Sequence, residues 1–275
     1  MAGGCDYKLK RYEDTPVFLQ MKYITSGYRV LWPAEACARS VWMWHNQTAN
    51  IHTHLWACVW FAYLAYTHAT SSGGGEMWAG LVFYLSVVAA FLGSTVFHTF
   101  NSVSEASYRR CNQLDVNGIV SSIVGAYVPI AYHALACHPE WRTLHFAVFS
   151  AVALAVGGAS QLTIMTDPSF IVGRILTMGL LVATLVGSSL HIAVLGADSP
   201  GVTAFVHSIL ASTAYLIVGA LLYALRFPER FAPHGMFDTL FNSHNWLHVF
   251  SVLAMYQHAC GIRTIQAYNA IHPCS

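Results

Sequence analysis

Seven stretches of this sequence, residues 52–70, 77–100, 112–137, 142–166, 169–196, 201–226 and 243–265, each run for at least nineteen residues with at most one charged side chain. At 1.5 Å of rise per residue, a helix of that length crosses about 30 Å of hydrocarbon. A backbone in lipid must satisfy its own hydrogen bonds, so uncharged runs of this length predict helices. The alternating pattern of a membrane barrel is absent from them. Composition agrees, with 56% apolar residues, 9% charged residues and a mean hydropathy of +0.49. A water-soluble surface cannot be assembled from so few charges, and a net charge of +1 argues against a nucleic-acid partner. Ten of the 25 charged residues lie in the first 39 positions.

The reading is therefore an all-α integral membrane protein of seven transmembrane helices. Residues 1–50 form a tail, 51–266 the membrane domain and 267–275 a short second tail. The breaks between spans carry turn chemistry: Ser71-Ser72-Gly73-Gly74-Gly75, Asn101 to Arg110, His138-Pro139-Glu140, Asp167-Pro168, Asp198-Ser199-Pro200-Gly201 and Pro228 to Asp238. Pro129 should kink the third span. Trp32, Trp42 and Trp44 read as an interfacial segment at the headgroups. Eleven of the thirteen Lys and Arg residues fall on one side of the alternating spans, which places the N-terminus in the cytosol and the C-terminus outside. The sequon Asn46-Gln47-Thr48 is then cytosolic and unmodified. No cleavable signal precedes the first span, which must act as its own signal. The seven cysteines form no CxxC pair and hence no thiolate metal site, although Cys137 and Cys274 can meet outside the membrane.

Ionisable groups inside spans require a partner or a function. His98 lies near the end of the second span, Asp115 opens the third, and His244 and His248 open the seventh, so that all four share the cytosolic end. The HxxxH spacing sets two imidazoles on one helix face, the arrangement used to grip a divalent metal, and His98 adds a third nitrogen. Zinc on three histidines keeps an open position for a water of lowered pKa, which a carboxylate such as Asp115 can orient or deprotonate. Ser94 lies one turn before His98, within reach of that site or of a substrate. Two other readings stay open here, a hydrogen-bonded polar network that only holds the bundle together, and iron, copper or nickel in place of zinc. His258 is about 15 Å along the helix from His248, too far to join. Of His52 and His54, which project from different helix faces, at most one enters the site. His133, His145, His191 and His207 belong nearer the outer side, where a second cluster is open.

These residues carry a resemblance. Tyr23-Ile24-Thr25-Ser26-Gly27-Tyr28-Arg29, the run His45 to His54, Ser94-x-x-x-His98, Leu114-Asp115, Arg226-Phe227-Pro228-Glu229-Arg230-Phe231, and Ser243-His244-x-x-x-His248 through His258-x-x-Gly261 follow one another as in the progestin and adipoQ receptor family, which is related to haemolysin III. The pattern most resembles the adiponectin-receptor branch. The resemblance implies seven helices, a cytosolic N-terminus and an inner-leaflet zinc on the positions of His98, His244 and His248, with the position of Asp115 holding the water. It also implies ceramidase activity, and the leading hypothesis is a zinc hydrolase of a lipid amide, with ceramide entering the bundle sideways and Ser94 aiding the oxyanion. Two residues depart from the family: Gln47 replaces an acidic residue and Ala49 a glycine, and neither is expected to touch the zinc site. A non-catalytic receptor with structural zinc is the rival, and a haemolysin-type pore or ion pathway a weaker one. Plasma membrane or endomembrane, the extracellular ligand, the exact lipid and homo-oligomerisation stay open.

Overall fold

The computed structural model describes residues 7–162, 171–232 and 235–274, and among them it is helical, with no strand beyond an isolated antiparallel bridge between Lys10 and Tyr28. A short helix, α1 (Ala34–Arg39), precedes seven long ones: α2 (Thr48–Ser71), α3 (Gly74–Phe100), α4 (Glu105–Ala134), α5 (Pro139–Ser160), α6 (Ile171–Leu195), α7 (Pro200–Leu225) and α8 (Ser243–Ile271). Five of these, α3, α4, α5, α7 and Leu176–Leu195 of α6, are long and apolar enough to cross a membrane. The other two, α2 and α8, have the length but carry a denser set of His, Asn, Gln and Thr side chains.

Helix ends follow their capping residues. The Ser104 hydroxyl accepts from the Ser107 amide and starts α4, and the Ser199 hydroxyl accepts from Val202 ahead of Pro200 in α7. The Ser104 cap corrects one expectation: the stretch from Asn101 to Arg110 is a turn only as far as Ser104, and α4 opens with a charged turn ahead of its apolar part. Similarly, α2 starts at Thr48 rather than at residue 52, and α8 continues to Ile271. Pro129 sits inside α4, which continues through it. The break at Asp167-Pro168 lies outside the described residues.

Sequential helices pack side by side, most extensively α3 with α4 and α7 with α8. Gly118 permits the first pairing, since a Cβ there would stand 2.7 Å from the Ala90 Cα. The core between α2, α3, α4 and α8 contains Phe61, Phe83, Tyr84, Ile130 and Ile262, all essentially inaccessible. Trp42 and Trp44 are exposed, as an interfacial segment requires, but Trp32 is buried against the edge of Tyr7. Cys137 and Cys274 form a disulfide that ties the end of α4 to the chain beyond α8, while Cys37, Cys58, Cys111 and Cys260 are free.

Candidate metal centre

α8 begins where it does because three groups satisfy its first turn. The Asn242 side chain accepts from the Asn245 amide at 3.1 Å, and the Asn245 side chain accepts from the Asn242 amide at 3.2 Å, a reciprocal capping box. The Glu229 carboxylate accepts from the Ser243 amide at 2.7 Å and from the Ser243 hydroxyl, placing negative charge at the positive end of the helix. This anchorage fixes His244 and His248 on successive turns. Opposite them, the last turn of α3 presents His98.

The three histidines offer ring nitrogens that all lie within 4.8 Å of one another, and His98 and His248 are buried. The Nε2 atoms of His98 and His244 are 3.3 Å apart. For zinc–nitrogen bonds of about 2.05 Å, two corners of a tetrahedron are separated by about 3.3 Å. The far nitrogens of two rings are engaged elsewhere. His98 Nδ1 donates to Gln47 Oε1 at 2.7 Å, since an amide oxygen can only accept. His248 Nδ1 donates to Thr53 Oγ1 at 3.1 Å, whose own hydrogen goes to the Ala49 carbonyl at 2.8 Å. Each bond puts the ring proton on Nδ1 and leaves the Nε2 lone pair for a ligand, as in metal-binding histidines. Three neutral imidazoles with such lone pairs suit a borderline divalent ion, so the residues present fit zinc.

Asp115 and Ser94 stand beside this cluster. Ser94 is buried one turn before His98, and the Asp115 carboxyl faces its hydroxyl. Closeness at Gly93, where an added Cβ would lie 3.8 Å from the Asp115 Cα, brings that part of α4 directly onto α3. Asp115 does not belong to the group of converging ligand atoms. Of the two histidines on α2, His54 reaches the site and stacks on His248 with ring centroids 3.7 Å apart, whereas His52 bonds to the Val41 carbonyl at 2.8 Å. His258 bonds instead to the Ala126 carbonyl at 3.0 Å.

Gln47 overturns one expectation. It was expected to stand clear of the site, yet it holds His98, and its Oε1 also accepts from Asn50 Nδ2 at 3.0 Å. Asn50 Oδ1 in turn accepts from Asn245 Nδ2 at 2.6 Å, so buried amides connect the start of α2 to both helices that carry the three histidines. The sequence reading also missed Thr53, Asn50, Asn245 and Arg29. Arg29 is 2% exposed, and its guanidinium donates to the carbonyls of His98 at 2.6 Å and Thr99 at 2.9 Å and to Ser40 Oγ at 2.7 Å. It thus satisfies the open carbonyls at the end of α3 with a positive charge, where the helix dipole favours one. Burial among neutral acceptors pushes its pKa down to about 10. The segment bearing Arg29 is also fastened on the other side of the site: Asp238 in the loop before α8 accepts from the Thr25 amide at 2.8 Å, Thr25 Oγ1 at 2.9 Å and Ser26 Oγ at 2.6 Å.

The sequence model of haemolysin-III related proteins matches residues 42–259. The adiponectin receptor protein of Drosophila melanogaster is 28% identical over 276 residues, covering 97% of this chain and 61% of the fly protein, so the chain spans less than two thirds of that relative's length. Progestin and adipoQ receptor family member 3 of Mus musculus is 28% identical, with 97% of this chain and 89% of the mouse protein covered. Member 4 of Homo sapiens is 29% identical, with coverages of 97% and 96%. The long apolar helices together with these receptor relatives describe a multi-pass membrane protein. Because the match takes in α2 through most of α8 and both halves of the histidine cluster, the chain belongs to the haemolysin-III related family, alongside the progestin and adipoQ receptors.

Proposed function

We propose that this chain is a seven-span membrane hydrolase that holds zinc on His98, His244 and His248 and cleaves a lipid amide of the ceramide type, in receptor-like signalling or lipid metabolism. The observation that carries the reading is the convergence of three histidine nitrogens within 4.8 Å, two of the rings held by hydrogen bonds at Nδ1. The seven spans are the five apolar helices plus α2 and α8, whose 24 and 29 residues exceed the length a bilayer requires. In this reading the histidines lie in the cytosolic half with the N-terminus, the side on which eleven of the thirteen Lys and Arg residues fall. The Cys137–Cys274 disulfide lies at the opposite end, which suits the oxidising side of a plasma membrane or endomembrane.

When bound, zinc supplies a Lewis acid that polarises a carbonyl and brings the pKa of a water towards neutrality. In this reading the protein groups divide the remaining work. Asp115 holds a water and takes its proton, and later passes a proton to the departing amine. Ser94, facing Asp115, donates a hydrogen bond to the oxygen that gains charge as the amide carbon becomes tetrahedral. Gln47 and Thr53 keep two of the histidines in the tautomer that a metal requires. The long apolar chains of the substrate stay in the bilayer and enter the bundle sideways.

The first test is metal content per purified chain, followed by release of fatty acid from ceramide. Wild type should carry one zinc and hydrolyse the amide, His248→Ala should lose both, and Asp115→Asn should keep the metal and lose hydrolysis. A wild type without metal sinks the reading. One observation favours a second reading, a non-catalytic receptor in which zinc clamps helices: α3 and α8 make few contacts with each other, so a shared ion would be a principal link between them. That reading is supported if Asp115→Asn leaves both zinc and signalling intact and wild type hydrolyses no lipid amide.

A further inference from the structure

The histidines that read as a second, outer cluster do not all meet. His133 approaches Gln266 Nε2 at 3.4 Å, and His207 is exposed on α7, but His145 of α5 and His191 of α6 lie stacked, with His145 Nε2 2.9 Å from His191 Nδ1. Behind them, the Tyr127 hydroxyl of α4 is 3.0 Å from His145 Nδ1. Three helices are thereby joined by one chain of hydrogen bonds, Tyr127 to His145 to His191. The chain ends at His191 Nε2, for which no hydrogen-bond partner exists among the described residues. His191 lines a recess of about 330 Å³ between α5 and α6, together with Leu144, His145, Val148, Thr184 and Ser188. Gly187 also lines it, and a Cβ there would meet nothing within 4 Å.

We propose that this recess binds the hydroxyl group of a membrane lipid at the end of the Tyr127–His145–His191 chain. The recess opens between two apolar spans, where Leu144 and Val148 are half exposed, so lipid has direct access to it. Its depth is that of lipid hydroxyls. His145 lies six residues past Pro139, about 9 Å along α5, and His191 four residues before Leu195, about 6 Å from the end of α6. The interfacial layer is about 5–7 Å thick on each side, so the histidines stand where it gives way to hydrocarbon. An imidazole nitrogen at that depth has little water to pair with.

Of the residues that line the recess, Leu144, His145, Ser188 and His191 lie towards the helix ends. Val148 and Gly187 lie deeper, and the deeper Thr184 spends its hydroxyl hydrogen on the Leu180 carbonyl at 2.8 Å. Two histidines and a serine set among apolar side chains match a lipid with one hydroxyl on an apolar body. A hydroxyl also answers the direction of the chain. If Tyr127 donates to His145, His191 Nε2 carries a hydrogen; if the order is reversed, it carries a lone pair. A hydroxyl donates or accepts and pairs with either. Sterols and diacylglycerols both offer that group at this depth.

The test uses the full chain in phosphatidylcholine nanodiscs with a photoreactive sterol or a photoreactive diacylglycerol, the adducts being mapped to peptides by mass spectrometry. Labelling of α5 and α6 by one of the probes, competed by the unlabelled lipid and not by its O-methyl ether, is expected, and the probe that labels identifies the source. His191→Leu, which removes the hydrogen bond, and Gly187→Leu, which fills the recess and keeps both histidines, should each weaken the site-specific labelling about fivefold. His191→Asn should retain most of it. Absence of labelling, equal competition by the methyl ether, or labelling unchanged in both leucine variants overturns the proposal. None of these outcomes depends on the metal.

Discussion

His98 Nδ1 donates to Gln47 Oε1 at 2.7 Å, across 51 positions of sequence and between two buried side chains. The bond leaves Nε2 as the nitrogen of His98 that faces His244 and that the proposed zinc would take. Gln47→Ala should therefore weaken zinc binding about 10–100-fold, the usual cost of losing a ligand's outer partner. Gln47→Glu should tighten it, because a carboxylate makes the imidazole a better donor. Competition with a zinc chelator reads both, and equal affinities in all three proteins would falsify the role of Gln47.

Arg29 should matter for stability out of proportion to its place in the tail. Arg29→Met strands the carbonyls of His98 and Thr99 and the hydroxyl of Ser40 in a buried setting. Orphaned buried acceptors cost about 1–3 kcal/mol each, so a loss of about 2–4 kcal/mol is expected after the desolvation of the guanidinium is recovered. Thermal unfolding in detergent measures it, and an unchanged midpoint would show the arginine to be dispensable.

Acid should loosen the same region through His45. Its Nδ1 accepts from the Gln47 amide at 3.0 Å and its Nε2 donates to the Ser40 carbonyl at 3.0 Å, so the neutral ring is fully used. Burial, and secondly the charge of Arg29, push its pKa from 6.5 down to about 3. Between those values the unfolded chain binds a proton that the folded one refuses. Stability is present above the unfolded pKa and declines as pH falls below it, by about 1.4 kcal/mol per unit. His45→Gln should flatten the decline between pH 6.5 and 5 when unfolding midpoints are compared across that range.

Two glycines should respond oppositely to the same change. Alanine at Gly118 drives a methyl towards the Ala90 backbone, which should separate α4 from α3 at a cost of about 1–3 kcal/mol and draw Asp115 away from Ser94. Alanine at Gly157, inside α5 where the space around a Cβ is open, should raise stability by about 0.5–1 kcal/mol. Equal stabilities for the two variants would contradict the close α3–α4 contact.

The disulfide offers a check on orientation. A membrane-impermeant maleimide added to intact cells should label Cys137 and Cys274 only after an impermeant reductant has been applied, and should not label Cys111 near the start of α4. Labelling of Cys111 without permeabilisation would invert the proposed topology.

Much of this architecture was legible in the sequence because hydrocarbon imposes a simple rule on a chain. Charge-free length marks a helix, and Gly, Pro and Asp mark the gaps between helices. Sequence reading also brought His98, His244 and His248 to one end, since helix depth follows from counting residues. What it missed lies across the axis. Gln47, Thr53 and Arg29 act on residues 51, 195 and 69 positions away, and no spacing rule encodes which face of α2 or which turn of the tail meets them. Trp32 was misplaced for a similar reason: its composition suits a headgroup layer, but its neighbours in space bury it. The start of α4 was misjudged because its first turn extends beyond the apolar segment and reads as loop until Ser104 is recognised as its cap.

The histidine cluster joins α3 to α8, with His98 and His244 146 positions apart. A ribosome must therefore complete α3 through α7 and enter α8 before the three rings can meet. Until then His98 lacks both partner rings, and the proposed site is incomplete. On the proposed zinc reading, a polypeptide interrupted anywhere before α8 leaves the ion pool untouched.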